Sequence, residues 1–118
     1  MTRHERECAI YLAAMIDGEG YACATPGKNG TYKTTQVIIT NTDPGILHGI
    51  RYRLQVLGIE YREQNIGGGR YSPGKEIQIN RKESIARIGD TIVPFMCASN
   101  KKVTILEIRD YYRMRNAT

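Results

Sequence analysis

At 118 residues the chain has room for one domain, residues 1–118, because a single core organises about 100 to 200 residues. Its 41% apolar and 25% charged residues exclude a disordered or fibrous chain and leave a folded protein with a modest core. The 17 Lys and Arg against 12 Asp and Glu leave a formal charge of +5, which favours polyanions at long range and puts nucleic acid first among partner classes.

The opening Met1-Thr2-Arg3-His4-Glu5-Arg6-Glu7 lacks the apolar segment of a secretory leader, and no apolar run reaches the roughly 18 residues that cross a bilayer. No membrane partner is expected. A helix is predicted from Glu5 to Asp17, ending in Gly18-Glu19-Gly20, where glycine lets the backbone leave the helix. Its second half, Ala9 to Ile16, is apolar on every side, whereas a surface helix shows one apolar stripe. A small domain can hardly wrap a helix completely, so one face is expected on the chain's own sheet and the other on a second copy. Small Ala9, Ala13 and Ala14 permit close approach, and Ala9, Leu12, Ala13 and Ile16 are the expected seam of a homodimer.

Extended stretches Tyr21 to Thr25 and Tyr32 to Asn41 flank Pro26-Gly27-Lys28-Asn29-Gly30 and read as a hairpin. Thr42 or Asp43 then caps a second helix with Pro44 in its first turn, carrying Ile46, Leu47, Ile50, Leu54 and Leu57 and ending at Gly58. Ile59 to Ile66 and Tyr71 to Asn80 form a second strand pair around Gly67-Gly68-Gly69-Arg70. A helical stretch follows Arg81-Lys82-Glu83 to about Gly89, Pro94 breaks it, and Asn100 opens a last helix with Val103, Ile105, Leu106, Ile108 and Tyr112. The order is αββαββαα, an α+β unit in which a saddle-shaped four-stranded antiparallel sheet carries its helices on one face.

Strand alternation sends Val37, Ile39, Ile77 and Ile79 inward and leaves Thr34, Gln36, Ile38, Thr40, Glu76, Gln78 and Asn80 on an open polar face. Tyr21, Cys23 and Thr25 join them if Ala22 and Ala24 pack under the helices. The parity of Ile59 to Ile66 is open: either Arg62 and Gln64 or Tyr61 and Glu63 face outward. Such a face suits double-stranded DNA, whose major groove admits a β-ribbon. Lys28, Lys33, Arg70 and Lys75 lie at or near the turns, where phosphate contacts would fix register. Cys8, Cys23 and Cys97 are odd in number and lack CxxC spacing, so neither a disulfide framework nor a zinc site is expected. They fit a reducing compartment, cytoplasmic and nucleoid-associated or organellar.

Leu12-Ala13-Ala14-Met15-Ile16-Asp17-Gly18-Glu19-Gly20 resembles the signature of the LAGLIDADG homing endonucleases and their maturase relatives. Leu12, Ala13, Ile16, Asp17 and Gly20 match it directly, and Ala14, Met15 and Glu19 are mild substitutions. The element order derived above is similar to that family's unit along the whole chain. The resemblance implies a site-specific double-stranded DNA endonuclease acting as a homodimer on a palindromic or near-palindromic target. Glu19 then is the metal ligand and a catalytic residue, with the Gly18 carbonyl as helper and Asp17 structural at the helix end.

The cofactor implied is Mg²⁺, with Mn²⁺ or Ca²⁺ able to take the same oxygen ligands. Asn41 falls where the family places a polar residue that orients the attacking water, while the residues alone also allow it to cap the second helix. A catalytic lysine before the last helix is Lys101 or Lys102, with Lys101 preferred, although ungapped counting from Pro94-Phe95 puts Ser99 there. The alternative function is a non-cleaving nucleic-acid binder on the same scaffold, an intron RNA maturase or a DNA-binding regulator.

Overall fold

The structure, a computed structural model, describes residues 1–67 and 73–116. Helix α1 spans Arg3–Glu19 and starts at a capping box: the Thr2 hydroxyl accepts from the Glu5 N–H at 3.0 Å, and the Glu5 carboxylate accepts from the Thr2 N–H at 3.0 Å. The Thr2-x-x-Glu5 spacing satisfies two otherwise unpaired donors and begins the helix earlier than its apolar run suggests. These hydrogen bonds from Thr2 hold the Glu5 carboxyl below its ordinary pKa of 4.5. At the other end α1 runs past Asp17, so Glu19 is its last residue.

Strands β1 (Gly20–Pro26) and β2 (Tyr32–Asn41) form the first hairpin. Helix α2 (Pro44–Val56) is capped by Asp43, whose carboxylate accepts from the N–H groups of Gly45 at 2.8 Å and Ile46 at 3.1 Å. Gly58, at φ 69°, closes α2 in a Schellman motif, its N–H donating to Gln55 and that of Ile59 to Leu54. The chain then buries Ile59 in the core before pairing, so β3 is Arg62–Ile66 and shorter than expected. Strand β4 is Gly74–Ile79 and starts directly after Pro73, which has no N–H for a ladder. The expected start of this strand, Tyr71, lies outside the described residues. Helix α3 (Lys82–Thr91), a 3₁₀ turn over Val93–Phe95 around Pro94, and helix α4 (Ser99–Asn116) complete the chain.

The sheet is antiparallel throughout in the order β1-β2-β4-β3. The predicted α+β class and αββαββαα order hold. Val37, Ile39, Ile77 and Ile79 on one sheet face form a single buried cluster with Leu12 and Ile16 of α1, Leu47, Ile50 and Leu54 of α2, Ile85 and Ile88 of α3, and Ile105 and Ile108 of α4. Burial of these branched side chains is the main stabilising term, because alternation puts every second residue of the central strands against the helices.

One expectation is overturned here. Ala9, Leu12, Ala13 and Ile16 are between 0% and 1% exposed in the isolated chain, so they belong to its own core and no second copy can reach them. The domain wraps α1 further than its size suggests, because α2 and the 3₁₀ turn flank the helix while β1 and β2 lie beneath it. The exposed stripe is Arg3, Glu7, Ile10, Ala14 and Gly18, at spacings of one helical turn. At its foot Gly20 allows the helix to meet the sheet: a Cβ there would lie 2.9 Å from the Ile38 carbonyl oxygen.

Candidate active site and nucleic-acid face

Gly20 pairs with Ile39, which brings the end of α1 beside the end of β2. There the Asn41 side-chain amide donates to Glu19 Oε2 at 2.5 Å, while Asn41 Oδ1 accepts from the Asp43 N–H at 2.8 Å. The second bond orients the amide so that its nitrogen faces the carboxylate. Capping of α2 falls to Asp43, which leaves the Asn41 amide for Glu19. Glu19 and Gly18 are exposed, at a shallow hollow lined by Glu19, Thr40, Asn41, Thr42 and Ile46.

Asp17 turns to the opposite side. Its carboxylate accepts from the backbone N–H groups of Cys97 at 2.8 Å and Ala98 at 2.9 Å, clamping the chain as it enters α4. That entry lets Lys101 reach back, its Nζ donating to the carbonyls of Ile16 at 2.9 Å and Asp17 at 2.8 Å. These carbonyls belong to the last turn of α1, where the helix dipole favours a cation, and that of Ile16 also accepts from the Gly20 N–H. An ammonium has three donors, so one remains free. Of the two lysines weighed, Lys101 is thus the one held to the last turn of α1; Ser99 opens α4 one residue before its expected start. The Asp17 clamp escaped the sequence reading, since nothing local signals a bond across 80 residues.

The register settles which side chains share the open face. Tyr21, Cys23 and Thr25 lie opposite Ile38, Gln36 and Thr34; Ile38 and Thr40 lie opposite Gln78 and Glu76; and Gln78 and Glu76 lie opposite Arg62 and Gln64. Arg62 and Gln64 therefore face outward, while Glu63 lies opposite Ile77 on the helix side and pairs with Arg51 of α2 at 2.7 Å. Tyr61 packs against the core. Gln78 Nε2 donates both to Glu76 Oε1 at 2.7 Å and to Gln64 Oε1 at 3.0 Å, tying β4 and the edge strand β3 into one polar network.

Two DNA-facing expectations are corrected. Ile38 is on the open face but only 2% exposed, lying between Tyr21 of β1 and Gln78 of β4, so it supports that face from below instead of touching a ligand. Lys75 sits opposite Asn41 and Asn65 on the helix-side parity, and it lines a hollow with Thr42, Pro44 and Arg51. The cause is parity, since Lys75 is two residues from inward-facing Ile77; the β1–β2 turn is at the far end of the sheet, whereas Ile66 and Gly74, which lead into and out of the other turn, are at the Glu19 end. Lys28 is exposed in the first turn and Lys33 at the far end of β2, while Arg70 lies outside the described residues. Asn80 follows β4, and its Oδ1 is buried without a hydrogen-bond partner among the described residues.

No group of three or more His, Cys, Asp or Glu able to hold a metal ion occurs among the described residues. Nor is any of their helices long and apolar enough to cross a membrane.

A family model described as a LAGLIDADG-like domain matches residues 6–92. No curated protein sequence matches the chain. Among solved structures, the homing endonuclease I-CvuI, in complex with its target in the presence of calcium, superposes with a TM-score of 0.64 at 15% identity, covering 92% of this chain and 68% of that one. The group I intron-encoded homing endonuclease I-CeuI, complexed with DNA, gives a TM-score of 0.63 at 17% identity, covering 94% of this chain and 56% of that one, so this chain spans little more than half its length. The archaeal intron-encoded homing endonuclease I-Vdi141I, also complexed with DNA, gives 0.59 at 18% identity over 90% of this chain and 67% of that one. At such identities the likeness is one of fold.

Proposed function

The chain belongs to the LAGLIDADG-like domain family, whose model matches it over residues 6–92, and from that premise we propose that it is a homodimeric, site-specific double-stranded DNA endonuclease. Its target is palindromic or near-palindromic, since a two-fold dimer binds a two-fold site. The observation that carries this reading is the Asn41-held carboxylate of Glu19, exposed at the end of α1 beside a polar, uncovered sheet face. I-CvuI, I-CeuI and I-Vdi141I, which share the fold, were each solved with DNA.

One chain contributes a single Glu19, which is too few donors by itself, and a second copy completes the set. The seam is the exposed stripe of α1. Gly18 supports this: apart from its chain neighbours and its own helix backbone, no atom lies within 4 Å of where its Cβ would be, so packing within the single chain gives no reason for glycine there, whereas a partner helix does. Exposed Ile10 and Ala14 continue the same surface. Pairing α1 with its symmetry mate brings two Glu19 carboxylates to the two-fold axis.

Two carboxylates, the Gly18 carbonyls, phosphate oxygens and water suit a hard divalent cation, Mg²⁺ first, with Mn²⁺ and Ca²⁺ able to use the same oxygens. When bound, such an ion acidifies a water and offsets charge on the leaving oxygen of an in-line displacement. The chain's own groups do the positioning. Asn41 restrains the Glu19 carboxylate and stands ready to orient the attacking water. Lys101, anchored by two carbonyls, lends its remaining N–H and positive charge to the phosphate.

The test is cleavage of a randomised duplex library with Mg²⁺ by the natural chain and by Glu19→Gln, which keeps size and removes charge. Discrete symmetric cuts that vanish in the variant are expected. If neither protein cuts while both enrich the same sequences, the chain is a binding module, and if an RNA intron is bound in preference to duplex it is a maturase.

A further inference from the structure

The open face carries a feature that general DNA affinity does not require. Among the described residues, Glu76 is the one carboxylate that the register of the four strands places there. Duplex DNA is a polyanion, so a carboxylate facing its groove weakens binding at every sequence unless it meets a hydrogen-bond donor. In the major groove those donors are the exocyclic amines of cytosine and adenine, whereas guanine and thymine present acceptors at the corresponding edge. Adenine's amine is flanked by the N7 acceptor, which suits an amide and repels a carboxylate.

We propose that Glu76 is a specificity-determining residue that selects cytosine at the inner part of each half-site. This rests on the reading of the sheet as a DNA-binding face. Gln78 supplies the pre-organisation, its amide donating to Glu76 Oε1 at 2.7 Å and anchoring in turn on Gln64 Oε1 at 3.0 Å. One carboxylate oxygen is thereby engaged and Oε2 is left to accept from a base. The direct cross-strand neighbours of Glu76 are Thr40 and Gln64, both uncharged, and Arg62 on the same face stands opposite Gln78 instead. Thr40 immediately precedes Asn41, the residue that holds Glu19. The selected base pair therefore lies close to the cut, not at the outer end reached by the β1–β2 turn.

The experiment is selection of bound sites from randomised DNA duplexes by the natural protein, Glu76→Gln and Glu76→Asp, with thermal unfolding of each as a check on folding. The natural protein is expected to enrich cytosine at one inner position of each half-site, mirrored as guanine across the two-fold axis. In Glu76→Gln that preference drops about ten-fold while other positions persist, in keeping with the loss of one base-specific contact. Its affinity for random duplex rises, because a negative charge has been removed. Glu76→Asp keeps the charge but not the reach, so it loses the preference without that rise. If the natural protein enriches sites lacking an inner cytosine, or if all three proteins enrich one identical motif, the assignment is wrong while the DNA-binding reading stands. If none enriches any duplex, both fall together.

Discussion

The two faces of the sheet are built from the same strands and do opposite work. On the helix side Val37, Ile39, Ile77 and Ile79 are completely buried and interchangeable in chemistry, and what matters is volume. On the open side Tyr21, Gln36, Thr40, Gln64, Glu76 and Gln78 differ in kind, and what matters is the pattern of donors and acceptors. Ile38 is the exception, an apolar residue sealed beneath the open face at 2% exposure. The difference teaches that a period-two sequence can carry stability and recognition together, provided that each substitution is felt on only one side.

The strongest way to break that comparison is a pair of truncations. Ile77→Ala is expected to cost about 2 to 5 kcal/mol of unfolding free energy, as large-to-small changes in a closed core do. Gln36→Ala on the opposite face should stay within about 0.5 kcal/mol. Chemical denaturation of both decides it; equal losses would mean the open face is itself structural.

Asp17→Ala sharpens the contrast at the end of the sheet. It removes two hydrogen bonds that fix the entry of α4 and is expected to cost about 1 to 2 kcal/mol, the usual range for a lost helix cap. Cleavage should fall by more than that loss of stability accounts for, because Lys101 loses its anchorage. Unchanged cleavage at a permissive temperature would remove Lys101 from the proposed site.

Ile38→Ala is expected to cost less than Ile39→Ala, its buried neighbour on the core side, by about 1 kcal/mol or more, since mobile polar side chains can collapse over the gap and a packed core cannot. Denaturation midpoints of the two variants measure it, and equal costs would show that the open face is as rigid as the core.

The smallest effect lies on neither face. The Glu5 carboxyl of the α1 capping box titrates below its ordinary value of 4.5, so its contribution is present above that pH and is lost as pH falls through the lower, folded value. The gap in thermal midpoint between the natural chain and Glu5→Gln should be present at pH 7 and close as the pH falls through the folded value, which lies below 4.5. A gap that persists in acid would show that the charge is not what stabilises the cap.

Much of this was legible in the chain itself. Alternation in β2 and β4 divided core from open face correctly, Gly18-Glu19-Gly20 marked the end of α1, and the nine-residue motif from Leu12 to Gly20 pointed to the family. The failures have separate causes. Ala9, Leu12, Ala13 and Ile16 looked like a seam because a helix that is apolar all round does not say which side its own chain will cover. Lys75 does lie next to its turn, but that nearness alone pointed it to DNA, although its two-residue spacing from inward Ile77 puts it on the helix side. The parity of Arg62 and Gln64 stayed open because β3, at the edge, has no buried apolar alternation to declare it.

The sequence by itself determined the elements, their order and the inward residues of the central strands. These depend on local propensity and on periodicity, which are written along the chain. Only the tertiary structure decided that Asn41 holds Glu19, that Asp17 clamps α4 so that Lys101 reaches the end of α1, and that Ile10, Ala14 and Gly18 form the free stripe of that helix. Those facts join residues from 22 to 85 positions apart, or turn on what covers a helix from outside, and no local signal encodes either.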